Sequence, residues 1–402
     1  MRKILETVPT LETPKLTTWE LTLKTITPMF GGSAKTREIN AQNPIRPASI
    51  RGHLRFWWRA TAGAAFSSSQ ELFEAEKAIW GSGEKYGLVS LRVQTLDNGV
   101  EIEPSEIVPD RGTAQSGPME RFFLHPFNEN RTERLAEAVG RKEIKFQCSL
   151  TFQKPTTPAQ QLEVKTAIRA WLAFGGIGAR TRRGCGALEV TQERSEWLPE
   201  NLEQLKTWFS GVPDRAIERT SLFGGHLQFG EICTGRRDQP PAFAAWRELG
   251  QFWTRFRKGH FTEKHPTFSA MSGASWHDHR ELQSLAPTAQ EIELSKPFYG
   301  LPLIYQKFRD AFSGEIEAVH PHGRRMASPI ILKPIGFANG NVRPLVLVLR
   351  APSPKRIKIK RQEVDLKPPH FDRVLDALKA QDPLDAIYKA AIKHGFDNEV
   401  RL

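Results

Sequence analysis

The sequence predicts an α+β fold, and three observations carry that prediction. Stretches whose apolar residues alternate with polar ones stand beside stretches with helical spacing. In the first half they follow one another as strand, helix, strand, strand, helix, strand, which is the ferredoxin-like order. The chain is 402 residues long, a length that suits two domains. The boundary is expected between Thr191 and Ala216, giving domains over 16–195 and 216–402 with long insertions.

Residues 1–15 are polar and proline-punctuated, as in a terminal arm. In TWELTLKTI, Trp19, Leu21 and Leu23 alternate with Glu20, Thr22 and Lys24, the period of a half-buried strand. A long loop carrying Gly31, Gly32, Lys35 and Arg37 leads to a helix predicted from Ser49, taken as its N-cap. Ile50, Leu54 and Trp57 share one face of that helix, and Arg51, Arg55 and Arg59 form a neighbouring stripe. No carboxylate occurs from Ile39 to Gln70, so no local acid is expected to pair with this stripe and phosphate is the expected partner. A second helix in ELFEAEKAIW and a strand in YGLVSLRVQTL follow. Residues 97–141, with Phe122, Phe123 and Phe127, read as an insertion, because ordinary connections are far shorter. EIKFQCSLTF is a strand, and Thr157, Pro158 and Gln160 open a helix as cap, first-turn proline and capping-box partner.

That helix runs into the most unusual stretch, AFGGIGARTRRGCGALEV at 173–190. Gly176, Gly178, Gly184 and Gly186 set two G-x-G steps five residues apart, with Arg180, Arg182 and Arg183 between them. Glycine permits positive φ and close backbone approach, so such a frame can offer amide donors and charge to a polyanion. A tight turn with solvated arginines is the competing reading. The dinucleotide-binding pattern is excluded, since Thr181 stands where its third glycine belongs, and no G-K-[ST] supports a nucleotide P-loop.

In the second half, strands are predicted in LFGGHLQFGEI, FYGLPLIYQKF, RMASPIILKPIGF and RPLVLVLRA. Helices are predicted in AAWRELGQFWTRFRKG and from Phe371 to His394. His260, His265, His277 and His279 lack the cysteines or carboxylates of a metal site, so no metal is expected. Cys148, Cys185 and Cys233 are scattered and predicted reduced. Lys plus Arg number 57 against 45 Asp plus Glu, a formal net charge of +12. That balance favours acidic partners such as nucleic acid. Between Ala318 and Gln362 no acid interrupts Arg324, Arg325, Lys333, Arg343, Arg350 and the basic run at 355–361, and the acid-free windows together predict an electrostatic track. No apolar run reaches membrane-span length and no signal sequence is evident, so a cytoplasmic location without a membrane partner is expected.

Three stretches resemble a known family: TPMFGG at 27–32, IRPASIRGHLRFWWRA at 45–60 and GGIGARTRRGCG at 175–186. The sequence is similar to the RAMP superfamily of CRISPR-associated proteins, and within it to the first RAMP subunit of the type III-B (Cmr) effector complex. AIWGSG, GLPLIYQ and RRMASPIILKPI extend the resemblance over most of the chain. It implies two ferredoxin-like (RRM-like) domains and a non-catalytic RNA-binding subunit, with crRNA, target RNA and other Cmr RAMP subunits as partners. RNA contact is implied near the end of the assembly remote from the guide's 5′ tag. It implies no cofactor and no small-molecule substrate. Carried onto this chain, it gives Gly176, Gly178, Gly184 and Gly186 as the frame, with Arg180, Arg182, Arg183, Arg51, Arg55 and Arg59 as RNA contacts. The rival expectation is a metal-independent endoribonuclease acting on CRISPR RNA, for which His53 is the candidate.

Overall fold

The alternation of Leu21 and Leu23 with polar neighbours places β1 (Thr18–Thr25) at the centre of the first sheet, one face buried and one open. The computed structural model describes residues 16–107, 123–130, 133–210, 215, 219–235, 240–259, 276–305, 312–319 and 323–402. Residues 1–15, Phe122, His260 and His265 lie outside them. α1 (Pro47–Ala60) starts two residues before Ser49: Pro47 takes the first helical position, where its missing N–H costs nothing, and Arg46 is the N-cap. α2 (Ser69–Trp80) opens on a complete capping box of Ser68 and Glu71. β2 (Val89–Asp97) follows. A short hairpin of β3 (Val100–Ile102) and β4 (Gly140–Lys142) brackets the insertion. β5 (Lys145–Phe152), α3 (Pro158–Phe174) and β6 (Leu188–Val190) complete the first half, and the Thr157–Gln160 capping box is formed. The sheet order is β2-β5-β1-β6, all antiparallel, on the strand and helix order read from the sequence.

α4 (Arg194–Trp197) and α5 (Leu202–Trp208) connect the halves. The second half repeats the first. β7 (Ser221–Phe229) and α6 (Pro241–Lys258) are followed, after an excursion, by β11 (Ile330–Gly336) and β12 (Val342–Arg350). α9 (Pro383–His394) and β15 (Asn398–Arg401) then close a sheet of order β11-β12-β7-β15, strand for strand the topology of the first. The excursions carry α7 (Asp278–Ser284), β8 (Glu291–Glu293), β9 (Leu303–Tyr305), β10 (Gly314–Ala318), β13 (Arg356–Ile359), β14 (Gln362–Lys367) and α8 (Arg373–Leu378). Their strands form a five-stranded sheet, β8-β14-β13-β10-β9, around its own core of Ile316, Ile357, Ile359, Val364 and Leu366. The single helix expected from Phe371 to His394 is two. Lys379 takes a left-handed φ of 53° at the end of α8, and Asp382 caps α9.

The layers stack as sheet, helices, sheet, helices. Leu21, Phe146 and Leu150 of the first sheet pack on Ile50, Leu54 and Trp57 of α1 and on Val164, Ile168 and Trp171 of α3. The other side of this helix layer meets Leu227, Phe229, Ile331 and Leu347 of the second sheet within the same core. Val346, Val348 and Leu332 point the opposite way, onto Trp246, Leu249 and Phe252 of α6 and Ile387 of α9.

Candidate nucleic-acid interface

Sequence reasoning gave the glycines of 175–186 the task of presenting amides to a polyanion; in the structure they interlock this loop with residues 26–32. Ile26 N donates to Ala187 O at 2.8 Å, Gly186 N to Pro28 O at 2.9 Å and Ala179 N to Phe30 O at 2.8 Å. Thr27 Oγ1 donates to Gly184 O at 2.6 Å and accepts from Ala187 N at 2.8 Å. A Cβ on Gly186 would stand 2.1 Å from Ile177 O, and one on Gly178 2.7 Å from Met29 Cγ. Both also have positive φ, 60° and 79°. Gly176 is excluded from a side chain by Gly186 O at 2.7 Å, and Gly184, at φ 76°, by Trp246 Cδ1 at 2.8 Å. The amides of Ile177, Ala179 and Gly186 are thus used inside the protein, which corrects the expectation that the frame offers them outward.

The three loop arginines part company. Arg183 is buried, donates through Nη1 to Ile330 O at 2.8 Å and through Nη2 to Ser328 Oγ at 3.2 Å, and lies 4.3 Å from the Trp253 ring. Its own carbonyl accepts from Trp246 Nε1 at 2.8 Å. It is a clamp between the halves. Burial, then Arg180, Arg257 and Arg182, push it well below the usual arginine value. A guanidinium keeps its proton, so this shift reads as electrostatic cost within a crowd of cations. Arg180, left-handed at φ 61°, donates through Nε to Phe123 O at 2.8 Å and holds the insertion. Arg37 serves the same insertion, bonding to the carbonyls of Pro126, Asn128 and Ala136. Arg182 donates to Ser328 O, and its guanidinium stands 5.5 Å from the Phe56 ring on α1. Burial lowers it to about 10.

Phe56 joins the loop to the arginine helix. Arg51 is exposed on that helix, and a Cβ on neighbouring Gly52 would meet nothing within 4 Å. Arg55 and Arg59 do have an acid, contrary to the reading of an acid-free window: Glu76 of α2, 4% exposed, lies 2.5 Å from Arg55 Nε and 3.6 Å from Arg59 Nε. The other windows break up as well. Lys333 is buried, and its Nζ donates to Leu172 O near the C-terminus of α3. Arg324 pairs with Glu317, and Arg356 with Glu363 and Asp365. Lys333, Arg324 and Arg356 of that window are therefore engaged within the chain. Among them no group of three or more His, Cys, Asp or Glu could hold a metal, and no helix is long and apolar enough to cross a membrane. Cys148, Cys185 and Cys233 are free.

Residues 22–189 of the chain match the model of the RAMP superfamily. The chain is similar to the CRISPR system Cmr subunit Cmr1-2 of Pyrococcus furiosus, at 29% identity over 191 residues, 44% of this chain and 96% of that protein. It is also similar to Cmr1-1 of the same organism, at 24% identity over 159 residues, 39% of this chain and 43% of that protein, less than half of that relative's length. The crystal structure of apo Cmr1 from Pyrococcus furiosus shares the fold, with a TM-score of 0.52 at 15% identity over 84% of this chain and 89% of that one.

Proposed function

We propose that the chain is a non-catalytic RNA-binding subunit of a type III-B (Cmr) crRNA-guided RNA-targeting complex, active in cytoplasmic antiviral defence. In this reading it consists of two ferredoxin-like (RRM-like) domains, 16–195 and 216–402. It contacts crRNA, target RNA or both near the end remote from the guide's 5′ tag, beside other Cmr RAMP subunits. Similarity to two Cmr subunits supports the place in a Cmr assembly.

One observation carries the RNA contact: Arg182 reaches Phe56 of α1, next to exposed Arg51 and the bare backbone at Gly52. A phosphate there would meet the exposed Arg51 guanidinium in a charge-assisted contact. The open face of the first sheet presents Glu20, Thr22, Gln147, Ser149 and Arg92, without an aromatic ring among them, so recognition there is of backbone and shape rather than base stacking. His53 is the residue of the rival ribonuclease reading. Burial lowers its pKa from the usual histidine value, so at neutral pH it is a poor proton donor to a leaving group.

The test is a binding series on labelled single-stranded RNA. Affinity should fall with salt by about 0.7 in log–log slope per phosphate contacted, and Arg51→Ala should lower both affinity and slope. Salt-insensitive binding overturns the RNA reading. The RNA should stay intact with or without divalent metal, and specific cleavage lost in His53→Ala overturns the non-catalytic part.

A further inference from the structure

A groove of about 560 Å³ opens between the loop before α1 and the edge strand β2. That is within the range of small-ligand sites. Its lining has three chemical parts. Gln42, Asn43, Gln94 and Asn98 bring four carboxamides. Among the described residues these side chains have no hydrogen-bond partner; the Gln42 and Asn43 backbone amides donate to Asn40 Oδ1 at 3.0 and 2.9 Å, which fixes their loop. Ile45, Pro47 and Leu96 supply an apolar wall. Arg46 and Asp97 supply one charge of each sign.

Two features of the backbone point the groove at a ligand. The β2–β5 register shifts between Thr95 and Asp97, a bulge at Leu96 in an edge strand. Bulges re-aim side chains and gather next to sites. Leu96 is consequently 51% exposed at the groove, a large apolar side chain with little to pack on. On the opposite wall α1 begins at Arg46 with no acid in its first turn, and the exposed Arg46 guanidinium supplies the positive charge there.

We propose that this groove binds a single unpaired ribonucleotide: the base against Leu96 and Pro47, its edge read by the carboxamides and Asp97, its phosphate at Arg46. This rests on the RNA-binding reading above and adds base selection to it. Asp97 gives the selection its direction. One of its oxygens accepts Gly99 N at 2.9 Å, and a carboxylate can only accept, so it favours bases that present an amino group and disfavours uracil, whose single ring N–H is flanked by two carbonyls.

The experiment titrates the isotope-labelled full-length chain with each of the four ribonucleoside 5′-monophosphates, following the side-chain amide signals of Gln94 and Asn98. GMP and CMP should shift these signals at severalfold lower concentration than UMP. Gln94→Ala with Asn98→Ala should lose binding, and Asp97→Asn should bring UMP level with CMP. No shift at the groove, equal shifts from all four nucleotides, or shifts unaffected by Asp97→Asn overturn the proposal. The two readings fail separately: salt-dependent RNA binding without monophosphate shifts leaves the α1 interface and removes the groove, while shifts without RNA binding by the intact chain keep a nucleotide site and remove the RNA-binding function.

Discussion

The glycine loop at 175–186 and the arginine face of α1 carry the same residue types and the same expected partner, yet the fold gives them opposite tasks. In the loop nearly every distinctive residue is turned inward: the glycines admit the 26–32 strand-like loop, Arg183 clamps β11, and Arg180 holds the insertion. On α1 the apolar residues carry the packing, which leaves Arg51 and Gly52 without a task inside the chain. Among the described residues Arg182 joins the two, bonded to Ser328 O and facing the Phe56 ring.

The comparison breaks most sharply at Gly186. Gly186→Ala would force a Cβ onto Ile177 O and strain a positive φ, so a loss of about 3 kcal/mol or more is expected, read as a large fall in Tm. Wild-type-like stability would mean the loop is free to move and open to a ligand after all. Arg183→Ala comes next. It leaves the Ile330 carbonyl without its donor and removes the cation from Trp253, an expected cost of about 2 kcal/mol, while RNA affinity of the folded protein stays close to wild type. A tenfold affinity loss at unchanged Tm would return Arg183 to the interface.

Lys333 gives a pH test of the seam. Its folded pKa is lowered to about 7 by burial, below the unfolded lysine value, so between the two the unfolded chain binds more protons and stability rises with pH. The wild-type slope should exceed that of Lys333→Met by up to roughly 1.4 kcal/mol per pH unit from pH 7 to 10 in denaturant titrations. Equal slopes would place the amine in solvent.

On the α1 side effects on folding should be small and effects on binding clear. Arg51→Ala should change stability by under ~0.5 kcal/mol. Gly52→Ala sharpens the contrast further. Its new methyl meets nothing in the chain and removes a helix-interior glycine, so Tm should rise by the equivalent of about 0.5–1 kcal/mol while RNA affinity falls, because the methyl stands where a backbone would approach. An unchanged RNA affinity would move the interface off this face.

Periodicity made the main strands and helices legible, because Leu21, Leu23, Phe146 and Cys148 bury alternate positions and the capping boxes sit where their side chains say. The hairpin of β13 and β14 carried the same signal in Ile357, Ile359, Val364 and Leu366, but its basic residues drew the reading toward charge. Acid-free windows misled for a physical reason. Opposite charges meet through space, so Glu76, twenty-one residues beyond Arg55, pairs with Arg55 and Arg59, whose own helix carries no acid. The groove beside β2 had no legible motif, since exposed carboxamides on a loop and an edge strand converge only once β2 lies beside the start of α1. The repeat of topology between the halves follows from the family resemblance and not from residue spacing, because insertions of unequal length separate the matching elements.

The helix layer of α1 and α3 has a consequence for the order of synthesis. On a growing chain these helices are complete by Phe174, but one of their two apolar sides waits for β7 and β11, and the anchors of Arg182 and Arg183 wait for Ser328 and Ile330. The first half therefore leaves the ribosome with an uncovered face that a chaperone must shield or the second half must reach. The seam is therefore finished only once the second half is in place.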